Sequence, residues 1–101
     1  MATPLLLLRV AATWPLPGLG LLVLPQGPTP HLAAYPLHTA LRVRAHLPDG
    51  SRHEATATVE EVTREAELVQ GLLLDTQALV SVPAGTEIWL LTTETVDSEL
   101  L

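Results

Sequence analysis

Lysine, asparagine, phenylalanine and cysteine are absent from this chain, and isoleucine occurs once, at Ile88. Without cysteine there is no disulfide framework and no thiolate chemistry. Without lysine the fixed cations are Arg9, Arg42, Arg44, Arg52 and Arg64, against 11 acidic residues, for a formal net charge of -6. Tracking a phosphate backbone relies on clustered cations, so a nucleic acid is not an expected partner. Long apolar runs are missing too. "LLLL" (Leu5 to Leu8) and "LGLLVLP" (Leu19 to Pro25) fall far short of the roughly 20 residues of a membrane-spanning helix. No membrane association is expected. The N-terminus has no charged n-region and Arg9 interrupts its apolar stretch, so no signal peptide is expected. Lysine, asparagine, phenylalanine and isoleucine have AT-rich codons, and their scarcity points to a GC-rich genome. A cytoplasmic bacterial protein is the default reading.

What remains is compact and apolar. The chain has 101 residues, 48 % of them hydrophobic and 16 % charged. That length suits a single domain over 1–101, and the composition is not that of a disordered segment. Nine prolines and six glycines punctuate short apolar runs. This suits short strands with tight turns better than a bundle of helices. Leu5 to Thr13 is the first run, ending at the turn "WPLPGLG". Leu21 to Leu24 is the second. "PQGPTPHLAAYP" (Pro25 to Pro36) is a proline-rich loop, since proline lacks the donor that a central strand requires.

The best-defined element is a hairpin. In "ALRVRAHL" (Ala40 to Leu47), Leu41, Val43, Ala45 and Leu47 fall on one face and Arg42, Arg44 and His46 on the other. "PDG" turns the chain and "SRHEATATVEEV" returns. A two-residue Asp49-Gly50 turn would pair His46 with His53 and Ala45 with Glu54, mixing the faces. A type I turn closed by a bulge at Gly50 pairs Arg44 with Glu54, Val43 with Ala55 and Leu41 with Ala57. The second register keeps the apolar face intact and matches opposite charges, so it is preferred.

"VEEVTREAELVQ" (Val59 to Gln70) is ambiguous. Its Glu and Ala content favours helix. Its β-branched residues continue a strand to about Thr63, followed by a turn or short helical loop over Arg64 to Glu67. "LVQGLLLD" (Leu68 to Asp75) and "GTEIWLLTTE" (Gly85 to Glu94) bring the total to six or seven strands. In the last, Ile88 and Leu90 point to one side and Trp89 and Leu91 to the other. The expected fold is all-β: a small closed or nearly closed Greek-key barrel over about 5–95, which solves the edge-strand problem, with a frayed tail over 96–101.

The order of these signals resembles a known family. "PGLG" (Pro17 to Gly20) followed by "LLV" resembles the "PGRG-x-V-V" start of the second domain of translational GTPases such as elongation factor Tu. "LHTALRV" (Leu37 to Val43) sits where that family has "VGDEVEI", and "ATATVEEV" corresponds to its next strand. "ELVQGLLLDTQALVSVPAGTEIWL" resembles the family's "G-L-L-L-R-G…I-x-R-G" close. The resemblance covers about Val10 to Leu91 and implies a six-stranded Greek-key barrel. In full-length factors that domain contacts the GTPase domain, the aminoacyl end of transfer RNA or the ribosome. Leu19 stands where the family has arginine, Pro25 where it has glycine, and His38-Thr39 where it has glycine-aspartate. No G-x-x-x-x-G-K-S/T phosphate loop occurs. The resemblance therefore implies a barrel and carries over no nucleotide-binding or RNA-binding residue.

No stretch reads as an active site. His31, His38, His46 and His53 form no H-x-H or H-E-x-x-H set, so no metal is expected. Glu60 and Glu61 would face opposite ways on a strand rather than converge on a substrate. Ser51, Ser81 and Ser98 lie outside any G-x-S-x-G motif. No catalytic residue and no cofactor are assigned. Candidates for a partner surface are Trp14, because tryptophan is enriched at binding hot spots, and Leu22 and Leu24, which alternation would turn outward. The acidic residues Glu60, Glu61 and Glu65 could meet a basic partner. A barrel-end plug at Trp14 and plain solubility at the acids are the competing readings. The expectation is a non-catalytic interaction module docking a protein partner or a second copy of itself. An RNA- or ribosome-associated factor and a small enzyme with an unrecognised site are the alternatives.

Overall fold

Alternation of apolar and polar residues suits a sheet with one buried face, and six such segments form strands. In the computed structural model, which describes residues 5–75 and 82–93, they are β1 (Leu5–Leu16), β2 (Gly20–Pro25), β3 (Ala40–His46), β4 (Arg52–Arg64), β5 (Glu67–Leu74) and β6 (Glu87–Thr93). All neighbours are antiparallel. Their order is β1-β2-β5-β4-β3-β6, and β6 pairs back onto β1 to close the barrel. Because β6 returns beside β3, the run from β3 to β6 is a Greek key. Each strand sends at least one fully buried side chain inward: Val10, Val23, Val43, Val59, Leu72 and Ile88 are all 0 % exposed.

The β3–β4 hairpin adopts the bulged register. Arg44 pairs with Glu54, Val43 with Ala55 and Leu41 with Ala57. The turn is closed by Gly50 N donating to Leu47 O at 2.9 Å and Leu47 N donating to Ser51 O at 2.9 Å. Gly50 takes φ +92°, a region that residues with a Cβ resist. The Asp49 carboxylate accepts from Ser51 N at 2.8 Å and Ser51 Oγ at 2.6 Å. Those bonds hold its pKa below the usual carboxylate value.

Around Val59 to Gln70 the strand reading holds and the connection is shorter than a helical loop. β4 runs to Arg64 and β5 starts at Glu67. Glu65 (φ +52°) and Ala66 (φ +67°) form the two-residue turn. Two left-handed residues give the type I′ geometry whose twist matches that of the flanking strands. Thr56, Thr58, Val59 and Val62 favour the pleated sheet, and tertiary pairing overrides the helical propensity of the Glu and Ala residues.

Two other segments depart from expectation. β1 continues past Thr13 to Leu16, because Thr13, Trp14 and Pro15 pair with Val23, Leu22 and Leu21. Among the described residues β1 has a strand neighbour on one side only there, its ladder with β6 having ended at Arg9. Such an edge tolerates the proline. The proline-rich loop contains a 3-10 turn over Leu32–Ala34. Leu32, 0 % exposed, joins the core cluster and caps one end of the barrel. The tail over 96–101 lies outside the described residues.

Candidate interaction face

Cross-strand partners in a sheet share a face. Trp14 pairs with Leu22, Leu22 with Leu73, Leu73 with Thr58 and Thr58 with Ala40. One outward row therefore crosses five strands and carries no charge. At about 4.8 Å between strands it spans roughly 20 Å. Trp14 is 58 % exposed, and Leu22, Leu73, Thr58 and Ala40 are half-buried. The neighbouring outward positions on β1 and β2 are Ala12, Leu16, Gly20 and Leu24, none of them ionisable. Leu19, 70 % exposed, stands at the turn between these two strands.

Leu24 corrects the sequence expectation. It occupies an outward position, opposite Ala12, yet is only 4 % exposed. Its Cδ2 lies 3.5 Å from where a Cβ on Gly71 would be. The missing side chain of that glycine leaves space against the sheet, and Leu24 settles there. It is structural rather than available to a partner. Leu22, two residues earlier, stays half-exposed because Leu73 fills the matching position on β5.

The arginine–glutamate ion pairs gather on β1, β3, β4 and β6, away from this row. Arg9 Nη2 donates to Glu87 Oε2 at 2.7 Å, and Trp89 Nε1 donates to Glu87 Oε1 at 3.2 Å. The Arg9 hydrogen bond, helped by Trp89, holds the Glu87 carboxyl below its ordinary pKa. The Trp89 ring lies 5.8 Å from that of His46, tilted by 34°. Arg44 Nη2 lies 2.8 Å from Glu54 and Arg42 Nη2 lies 3.5 Å from it. Arg44 is the main cause of the lowered pKa of Glu54. Trp89 and Glu87 thus belong to an ion-paired face, while Ile88 between them is buried in the core.

The acidic candidates do not join Trp14 and Leu22. Glu60, paired in register with Gly71, borders the far end of the apolar row. It accepts from Thr58 Oγ1 at 2.9 Å and lies 3.2 Å from His38 Nδ1. Glu61 and Glu65 are exposed farther along β4 and at its turn. Among the described residues no three His, Asp or Glu side chains form a group that could hold a metal ion. No helix among them is long and apolar enough to cross a membrane.

Sequence reasoning therefore placed Trp14 and Leu22 on the surface and missed Leu73, their continuation across β5. The signal for Leu73 lay in "GLLLD", where alternation must turn the middle leucine away from Leu72 and Leu74. Nothing local says that β2, whose Leu22 lies 51 residues before Leu73 in the chain, would lie beside it. In comparisons with known proteins, no family model, no curated protein and no solved structure matches this chain.

Proposed function

We propose that this chain is a non-catalytic barrel module that docks through the outward row running from Trp14 on β1 through Leu22 on β2 to Leu73 on β5, bordered by the exposed Asp75, with a second copy of itself as the partner. The observation that carries the reading is the segregation of the surface. The row from Trp14 through Leu22 to Leu73 has no ionisable group, whereas arginines and glutamates pair away from it. An apolar patch that carries an exposed tryptophan is a common mark of an interface. Copies that each carry -6 repel one another, and facing uncharged patches keep that repulsion smallest. Kinship with the second domain of translational GTPases belongs to the same proposal and rests on the order of the sequence signals alone.

Sedimentation velocity tests it. The chain should form a reversible dimer at tens of micromolar, an order-of-magnitude working range for modest interfaces. Trp14→Asp should shift it to monomer with its melting midpoint little changed. A chain that stays monomeric at that concentration overturns self-docking. A dimer indifferent to Trp14→Asp and Leu22→Glu overturns this face.

A further inference from the structure

The β4–β5 hairpin outruns the barrel. The β3–β4 ladder ends at Ala40 opposite Thr58, and the β2–β5 ladder ends at Val23 opposite Leu72. β4 and β5 nevertheless stay paired as far as Arg64 opposite Glu67. The two-residue turn makes Arg64–Glu67 a hydrogen-bonded pair, and alternation makes Val62–Val69 and Glu60–Gly71 the next two. Leu68 and Gln70 consequently turn their backbone N–H and C=O groups away from β4. Leu72, next in that series, is where β2 begins to pair. Among the described residues no strand pairs with Leu68 or Gln70 on that side.

A cleft of about 880 Å³ lies along this edge. Its far wall includes Pro25, Pro28 and Pro30. Prolines have no N–H to offer the free carbonyls of β5. Leu68, 70 % exposed, gives the edge an apolar contact. The arm also carries Glu60, Glu61, Glu65 and Glu67 against one cation, Arg64, whose Nη1 reaches toward Pro25 O at 3.5 Å. An open strand edge is a template for another strand.

We infer that this edge of β5 takes an extended basic peptide as an added strand, with Leu68 and Gln70 supplying the main-chain hydrogen bonds and the arm's glutamates selecting the charge. A second copy is a poor occupant here, since it would bring its own acidic arm to the same edge. This surface is separate from the Trp14 face and does not depend on it.

The probe is a fluorescein-labelled hexapeptide of alternating arginine and valine, followed by anisotropy and by backbone amide resonances. Saturable binding that weakens with added salt, with resonances of Leu68 and Gln70 moving most, is expected. The same peptide N-methylated at every residue should bind about tenfold more weakly or worse, having lost its donors. Leu68→Pro should do likewise, because the N–H it removes points into the cleft and not toward β4. Should Leu68→Pro fail to fold, the N-methylated peptide still decides. Equal binding by an alternating glutamate-valine peptide, indifference to N-methylation, or resonance changes centred on Trp14 would each overturn the inference. So would edge-to-edge pairing of two copies that the basic peptide cannot displace.

Discussion

The carbonyl oxygen of Val23 lies 2.5 Å from the point where a side chain on Gly71 would begin. β2 and β5 therefore approach more closely at this point than any residue with a Cβ allows. Gly71→Ala must push the strands apart next to the short β2–β5 ladder. A loss of about 1–3 kcal/mol is expected, the usual cost of overpacking. Gly27→Ala is the control, since a Cβ there meets nothing within 4 Å. Denaturant melts of the two variants should separate clearly, and equal midpoints would contradict the close approach.

The bulged hairpin makes its own prediction. Gly50 holds φ +92° at the turn between β3 and β4. Gly50→Val should lower stability by roughly 1 kcal/mol or more, because a β-branched residue resists that conformation. At the opposite hairpin the strain runs the other way. Ala66 holds φ +67° without being glycine, so Ala66→Gly should raise the melting midpoint. Neutral results at both turns would remove the backbone argument.

Ile88 and Trp14 should behave as opposites. Ile88 is 0 % exposed, and Ile88→Ala should cost about 2–5 kcal/mol, the range for deleting a buried large side chain. Trp14 is 58 % exposed. Trp14→Ala should change stability by no more than about 0.5 kcal/mol while weakening association. Thermal melts paired with sedimentation would separate the two effects. A large stability loss at Trp14 would make it a structural plug.

Glu87 predicts a pH dependence. Its carboxyl sits below the ordinary value of about 4.5 because Arg9 and Trp89 donate to its charged form. The unfolded chain takes up this proton first as pH falls. The contribution to stability is therefore complete above the ordinary value and is lost as pH drops through the lower, folded one. Glu87→Gln should melt slightly lower than the parent at about pH 7, with the gap closing in the acid range below about pH 4. The gap should be small, as the Arg9 and Glu87 side chains are 49 % and 32 % exposed and water screens the pair. A gap that persists unchanged to about pH 3 would rule out the charge as its source.

The features legible in the amino-acid order were local. Alternation over Ala40 to Leu47, with Pro48-Asp49-Gly50 behind it, selected the register that pairs Arg44 with Glu54, because a one-residue slip would bury charge. The same period put Ile88 inward and Trp89 outward. Which strands became neighbours was settled by packing across the whole barrel. Leu24 has an outward position and is buried because Gly71, from a distant strand, leaves it room. Leu32, inside a proline-rich loop, is fully buried because barrel closure left an open end to cap. Trp14, Leu22 and Leu73 share a row because β2 pairs with β5 and not with β3. A period of two is set by the pleat and is legible in any few residues. Which strand lies beside which depends on contacts far apart along the chain, and no short stretch encodes them.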